Sequence, residues 1–164
     1  FRDDGRLVAY GVIRPELDSE HDRHGLAPRV APSAKLHVLD GSAVWPALWR
    51  YGLQRMIIET RIRRVAALGA VDVIAKASPG NFPSMRNLLK SRFAIITKVM
   101  KPYGWRYVHH RRVAFPAPEA GTGTWIEAGD VQEAKRRFSA GEAAFACRAG
   151  PDGMPILRFA DYPL

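Results

Sequence analysis

Between residues 35 and 100 the sequence passes twice from a strand-like run to a helix-like run and back, and this alternation constrains the fold more than any other feature. Residues 35–44 read as a strand, with Leu36, Val38, Asp40, Ser42 and Val44 on one face. Gly41 within it marks a bulge or a close backbone approach. A long helix is expected over residues 48–68. Ile58, Ile62, Val65 and Gly69 recur there at helical spacing with Leu68 beside them, while Arg55, Arg61, Arg63 and Arg64 supply the wet side. Gly69 closes that helix. Residues 71–77 form a second β-run, followed by the turn Ser78-Pro79-Gly80-Asn81 and a second helix over residues 84–91, with Pro83 suited to its first turn. Strands over residues 93–100 and 105–114 follow, joined at Pro102-Tyr103-Gly104. A helix leaving one strand and returning to another must pack on the sheet, so the expected class is α/β with a mixed sheet.

The flanks are simpler. Asp4-Gly5 is a two-residue hairpin signal followed by a strand over residues 7–13. Only Phe1, Arg2 and Asp3 stand before it and there is no initiator Met, so the expectation is a fragment that lacks its natural N-terminus. Residues 15–33 read as a polar, Pro-punctuated loop and residues 117–124 as a linker. Asp130 can cap a helix over residues 131–140, with Glu133 completing a capping box. A last hairpin spans residues 142–149 and 154–159 around Pro151-Asp152-Gly153. Two units are expected: a core over residues 1–116 and a C-terminal α-β-β extension over residues 117–164, packed on it.

Composition narrows the function classes. The chain is 47% hydrophobic and 25% charged, which excludes a largely disordered protein. No apolar run approaches the roughly 18 residues of a membrane span. The single cysteine, Cys147, excludes an intrachain disulfide and a four-cysteine zinc site. The expected location is cytoplasmic. The formal net charge is +9, but residues 49–112 alone carry 14 basic and 2 acidic residues. Such a segment suits a polyanion, either nucleic acid or a phosphorylated cofactor, and equally a solvated basic surface. Helix-turn-helix, zinc-finger and RNA-binding aromatic patterns are all missing, which weighs against nucleic acid. His21 and His24, beside Glu20 and Asp22, have no further ligand near them in sequence and read as a solvated loop, so no metal is expected. His109 and His110 read as part of a mixed edge strand.

Two stretches carry chemistry. The first runs from Val44 through Pro46 to Ile57, where a strand ends and a helix starts. A helix N-terminus leaves N–H groups unpaired and partly positive. Gly52 there lets a phosphate approach the backbone, and Arg50 and Arg55 add charge. The alternative is a plain strand-to-helix turn. The second stretch holds Asn81 and Ser84. Both follow the carboxyl ends of strands, where open α/β sheets bind ligands, so the two could flank one cleft.

Together these stretches resemble the GNAT superfamily of acetyl-CoA-dependent N-acyltransferases, over roughly residues 7–113. The family pattern Val-x-Pro-x-x-(Arg/Gln)-Gly-x-Gly-Leu is matched at Val44, Pro46, Gly52 and Leu53. Its later Asn-x-x-Ser and closing Phe are matched at Asn81, Ser84 and Phe93. The resemblance implies an N-terminally incomplete GNAT-like fold in which two neighbouring strands splay and admit the pantetheine arm of acetyl-CoA. The arm would bond backbone near Val44. The pyrophosphate would sit on Arg50, Tyr51, Gly52, Leu53, Gln54 and Arg55, and Asn81 and Ser84 would contact the arm. Trp49 stands where the pattern has Arg or Gln. Arg50 and Arg92 stand where it has Gly, Gln54 replaces a small residue, and Leu88 falls where a Tyr often serves as general acid.

The implied reaction is direct acetyl transfer from acetyl-CoA to an amine of a small molecule or protein. Asp40 is the only acid on the strand entering the cleft and is the base candidate; its alternative is a carboxylate bonded to local backbone. Tyr103 or Tyr107 could replace the missing acid. Cys147 reads as a small buried hydrophobe rather than a nucleophile. Two other functions stay open: a degenerate domain acting through protein contacts, and a basic nucleic-acid-binding module. Dimerisation is a further role open to the C-terminal unit.

Overall fold

The computed structural model describes residues 2–15, 26, 30, 35–115, 117 and 122–162. The expected loop, with His21 and His24, therefore lies largely outside the described residues, as does much of the expected linker. Strands β1 (Arg2–Asp3) and β2 (Arg6–Leu7) form a small hairpin around Asp4 and Gly5, both at positive φ. The following elements are β3 (Ala9–Arg14), β4 (Leu36–Val44), α1 (Leu53–Ala67), β5 (Asp72–Ala77) and α2 (Phe82–Lys90). After them come β6 (Ala94–Lys101), β7 (Gly104–Arg112), β8 (Thr124–Glu127), α3 (Val131–Ser139), β9 (Glu142–Ala149) and β10 (Pro155–Asp161).

Eight of these strands make one mixed sheet in the order β3-β4-β5-β7-β6-β9-β10-β8. The β4–β5 pair is parallel; the other neighbours are antiparallel. Crossovers of one hand place α1 and α2 on the same face. Ile58, Ile62 and Val65 of α1, Met85 and Leu88 of α2, and Ala134 of α3 pack there against Leu39, Val73, Ala75, Ile95 and Tyr107. The opposite face carries Val38, Ile74, Ile96 and Val108, with Leu26 and Ala117 against them. The C-terminal strands continue the sheet through Ile95↔Ala144. The buried Tyr107 hydroxyl donates to the Ala128 carbonyl at 2.8 Å, and Lys98 Nζ donates to the Val131 carbonyl at 2.8 Å.

Several expectations are corrected. The first long helix starts at Leu53 rather than near residue 48. Pro46–Leu48 form a 3-10 turn, and Arg50 (φ 72°) and Gly52 (φ 78°) are left-handed, so the chain cannot enter the helix earlier. Arg61 is not on the wet side but buried, and Leu68 is half-exposed. Pairing shifts from Gly11↔Ser42 to Ile13↔Leu39, so Asp40 and Gly41 both stand opposite Val12. This bulge shifts the alternation, and the five β4 residues expected on one face do not form one continuous face. β8 was not expected. Asp130 caps α3 by accepting from the Glu133 N–H at 2.9 Å, but the capping box is only half made. The Glu133 carboxylate turns to Arg136 and Arg137, and the Arg136 bond foremost holds its pKa down to about 2.

His109 and His110 lie on a central strand and are both fully buried. His110 Nε2 is 2.8 Å from Asp72 Oδ1, and its Nδ1 is 3.1 Å from the Tyr162 hydroxyl. Neither ring nitrogen of His109 makes a well-formed hydrogen bond, and burial pushes its pKa down to about 4.

Candidate functional site

The β4–β5 ladder pairs Leu36–Leu39 with Asp72–Ala75 and stops there, although β4 continues to Val44 and β5 to Ala77. On their outer sides both strands stay paired to the end, through Ala9↔Val44 and Ala77↔Tyr107. The sheet is therefore split between two neighbouring strands. A cleft of about 460 Å³ occupies the split, lined by Asp40, Gly41 and Ser42 of β4 and Lys76 of β5, with Gln54, Asn81 and Ser84 from the helix starts.

The two chemistry-bearing stretches meet here. Asn87 Nδ2 donates to Gln54 Oε1 at 2.7 Å, and Gln54 Nε2 lies 3.5 Å from Ser84 Oγ. Asn81 caps α2 by accepting from the Ser84 N–H at 3.1 Å. Gly52 is the N-cap of α1 and provides no side-chain bond, so the first N–H groups of α1 have no side-chain partner from the cap. A Cβ built on Gly52 meets nothing within 4 Å. Arg50, Tyr51 and Arg55 are exposed beside it, and Leu53 is partly buried. None of these four lines the cleft, whereas Gln54, Asn81 and Ser84 do.

Val44 ends β4, and its carbonyl accepts a 2.9 Å bond from the indole N–H of Trp49. Asp40 lines the cleft with its carboxylate 2.8 Å from Arg14 Nε. Its main-chain carbonyl and that of Val12 accept bonds from Arg61 Nη1 at 3.4 and 3.1 Å. Burial lowers the Arg61 pKa to about 10, with the Asp40 charge opposing that shift. Tyr103 lines the cleft; Tyr107 does not and is committed to Ala128. Cys147 packs against the core, and burial pushes its thiol up to about 12, which leaves it un-ionised near neutrality.

Sequence reasoning missed Arg14, Lys76, Lys101 and Arg106, all of which line the cleft. They come from β3, β5, β6 and β7, and only the strand order brings them together. Among the described residues, no group of three or more His, Cys, Asp or Glu side chains could hold a metal, and no helix is long and apolar enough to cross a membrane.

No family model matches the sequence, and no curated protein does. Solved structures do match. One is an acetyltransferase assigned to the GNAT family from Desulfovibrio desulfuricans, at TM-score 0.53 and 17% identity over 68% of this chain and 66% of that one. Another is Naa20 of Chaetomium thermophilum in complex with a bisubstrate analogue, at TM-score 0.55 and 16% identity over 71% of this chain and 64% of that one. A third is NAA60 of Arabidopsis thaliana in complex with acetyl-CoA, at TM-score 0.54 and 15% identity over 68% of this chain and 70% of that one. The chain has the GNAT fold.

The matched part spans about two thirds of the first of these structures, 66% of its length. Two residues that depart from the expected pattern have strained backbones. Arg50 and Arg92, at two positions where the expected pattern has Gly, have left-handed backbones with φ of 72° and 64°. Leu88 is buried in the core.

Proposed function

We propose that this chain is an N-acyltransferase that moves an acetyl group from acetyl-CoA to an amine by direct transfer. The observation that carries the reading is the split between β4 and β5, with two helix starts converging on it. The residues fit the cosubstrate. Gly52 leaves open space at an uncapped helix start, Arg50 and Arg55 stand beside it, and a cleft passes between the strands. Val44 would hold the pantetheine arm through its backbone, residues 50–55 the pyrophosphate, and Asn81 and Ser84 the arm.

Acetyl-CoA would supply the acetyl group on a thioester, whose C–S bond breaks as the new C–N bond forms. The amine must lose one proton and the departing sulfur gain one. Asp40 takes the first role once its carboxylate leaves Arg14, and Tyr103 takes the second. Within this reading residues 1–116 are the cofactor-binding core, and residues 117–164 a C-terminal unit packed on it.

A second reading, a degenerate domain without catalysis that acts through protein contacts, is favoured by Trp49, whose indole N–H occupies the Val44 carbonyl that the pantetheine arm would need. Thermal stability with and without saturating acetyl-CoA at two salt concentrations, with dephospho-CoA as control, tests the cosubstrate. At about 100 times its dissociation constant a ligand adds roughly 2.7 kcal/mol, a rise of several degrees for a chain this size. Thiol release with amines then separates enzyme from binding domain. A folded sample that does not respond to acetyl-CoA overturns the reading.

A further inference from the structure

We infer that Asn87 is a positioning residue: acting through Gln54, it makes the Ser84 hydroxyl a hydrogen-bond donor toward an acceptor oxygen bound in the cleft. This rests on the acetyl-transfer reading, in which that oxygen is an amide carbonyl of the pantetheine arm.

The three side chains form a chain with one direction. Asn87 Nδ2 donates to Gln54 Oε1 at 2.7 Å, and Gln54 Nε2 lies 3.5 Å from Ser84 Oγ. A primary amide has an acceptor end and a donor end. Once Asn87 holds the oxygen of Gln54, the nitrogen must face Ser84. The serine oxygen then accepts from Gln54, and its own hydrogen turns away.

Placement separates the roles. Gln54 is the second residue of α1, and Ser84 and Asn87 lie one turn apart on α2. Gln54 and Ser84 line the cleft, whereas Asn87 does not. Asn87 therefore acts on a ligand only through Gln54. The Ser84 N–H is already held by Asn81 Oδ1 at 3.1 Å, which fixes the backbone. Among the described residues Gln54 is the one partner of the Ser84 hydroxyl. Gln54 stands where the expected pattern has a small residue. A small side chain could not span the gap between α1 and α2, so the relay is a property of this sequence rather than of the fold.

Such a chain is cooperative. An oxygen that takes the Ser84 hydrogen makes Oγ the better acceptor and strengthens the link to Gln54. Without Asn87 the Gln54 amide can turn its oxygen to Ser84, which then donates backwards and leaves the ligand oxygen unmet. The expected loss is that of one neutral hydrogen bond, about fivefold in affinity.

The test measures CoA binding to the full chain by calorimetry in Asn87→Ala, Asn87→Asp and Ser84→Ala, and in the two double variants. Asn87→Ala should weaken binding about fivefold. Asn87→Asp should weaken it further. A carboxylate only accepts, so it draws the Gln54 nitrogen to itself and turns the Gln54 oxygen to Ser84. In the Ser84→Ala background, Asn87→Ala should cost less than about twofold, and Asn87→Asp should retain only the part due to its charge. In thiol-release kinetics the loss should appear in KM for acetyl-CoA, with kcat within about twofold, since the arm is held alike before and during transfer. Thermal melts report that each variant is folded. A loss of equal size in both backgrounds makes Asn87 a plain tie between helices and overturns the inference. So does an Asn87→Asp protein that binds CoA as well as the parent. Either result leaves the acetyl-transfer reading standing. Failure of the parent to bind CoA overturns that reading and this inference together.

Discussion

From its buried place on α1, Arg61 donates through Nη1 to the main-chain carbonyl of Val12 at 3.1 Å. The same nitrogen reaches the carbonyl of Asp40 at 3.4 Å. Val12 and Asp40 face each other at the β3–β4 bulge, where the ladder loses its regular bonds. The guanidinium replaces those bonds and so holds open the kink that carries Asp40 into the cleft.

Arg61→Met keeps an apolar stem of similar length but leaves two carbonyls without their donor. The expected loss is about 2 kcal/mol, a drop of roughly 4–8 °C in Tm. A thermal melt measures it, and an unchanged Tm would mean that water serves the bulge equally well.

Arg50 holds a left-handed backbone on an exposed turn. Arg50→Gly removes a strain of about 1 kcal/mol, which the greater freedom of glycine in the unfolded chain partly offsets. Tm should rise by up to about 3 °C. Arg92→Gly should not show this gain, because Arg92 Nε also donates to the Ala117 carbonyl at 2.8 Å.

Trp49→Phe removes the donor on the Val44 carbonyl while keeping an aromatic side chain. Trp49 is 63% exposed, so stability should change by less than about 0.5 kcal/mol. If the pantetheine arm uses the end of β4, CoA should bind about fivefold more tightly, the worth of one hydrogen bond no longer displaced. Calorimetric titration of both proteins decides it, and weaker binding would give Trp49 a supporting role.

Acid should destabilise the protein through His109. Burial sets its folded pKa at about 4, against about 6.5 in an unfolded chain. Above the unfolded value both states are neutral and nothing is lost. Between the two values only the unfolded chain takes up the proton, so stability falls as the pH falls. Below about 4 both states are protonated and the loss is complete, at roughly 3 kcal/mol. Urea melts of His109→Leu across this window should show an acid slope shallower by about one proton; an identical slope would place the effect elsewhere.

The alternation of strand and helix was legible because each element carries its own period and its own punctuation. Gly69, at φ 76°, ends α1 as expected, and Asn81 caps α2. The start of α1 was not legible, because helical periodicity says nothing about a left-handed arginine. Thr124–Glu127 escaped notice because a four-residue edge strand is specified by its partner β10, not by its own pattern. Arg61 was misread because amphipathic logic assigns every arginine to solvent, whereas a bulge creates buried acceptors that only a long cation can reach. For the candidate site, residues within one stretch could be read as a unit. Arg14, Lys76, Lys101 and Arg106, which line the cleft, lie on four strands and depend on β7 being inserted between β5 and β6.

The early end of the β4–β5 ladder has a consequence for aggregation. Strand edges with unmet bonds are ordinarily a hazard, since any passing chain can add to them. Here the two stretches beyond the end of the β4–β5 ladder, residues 40–44 and 76–77, face each other inside a sheet rather than at its rim. Each shields the other from a foreign polypeptide. Within the acetyl-transfer reading, an extended, slender molecule with its own amides would slip between them and be hydrogen-bonded as though it were a strand.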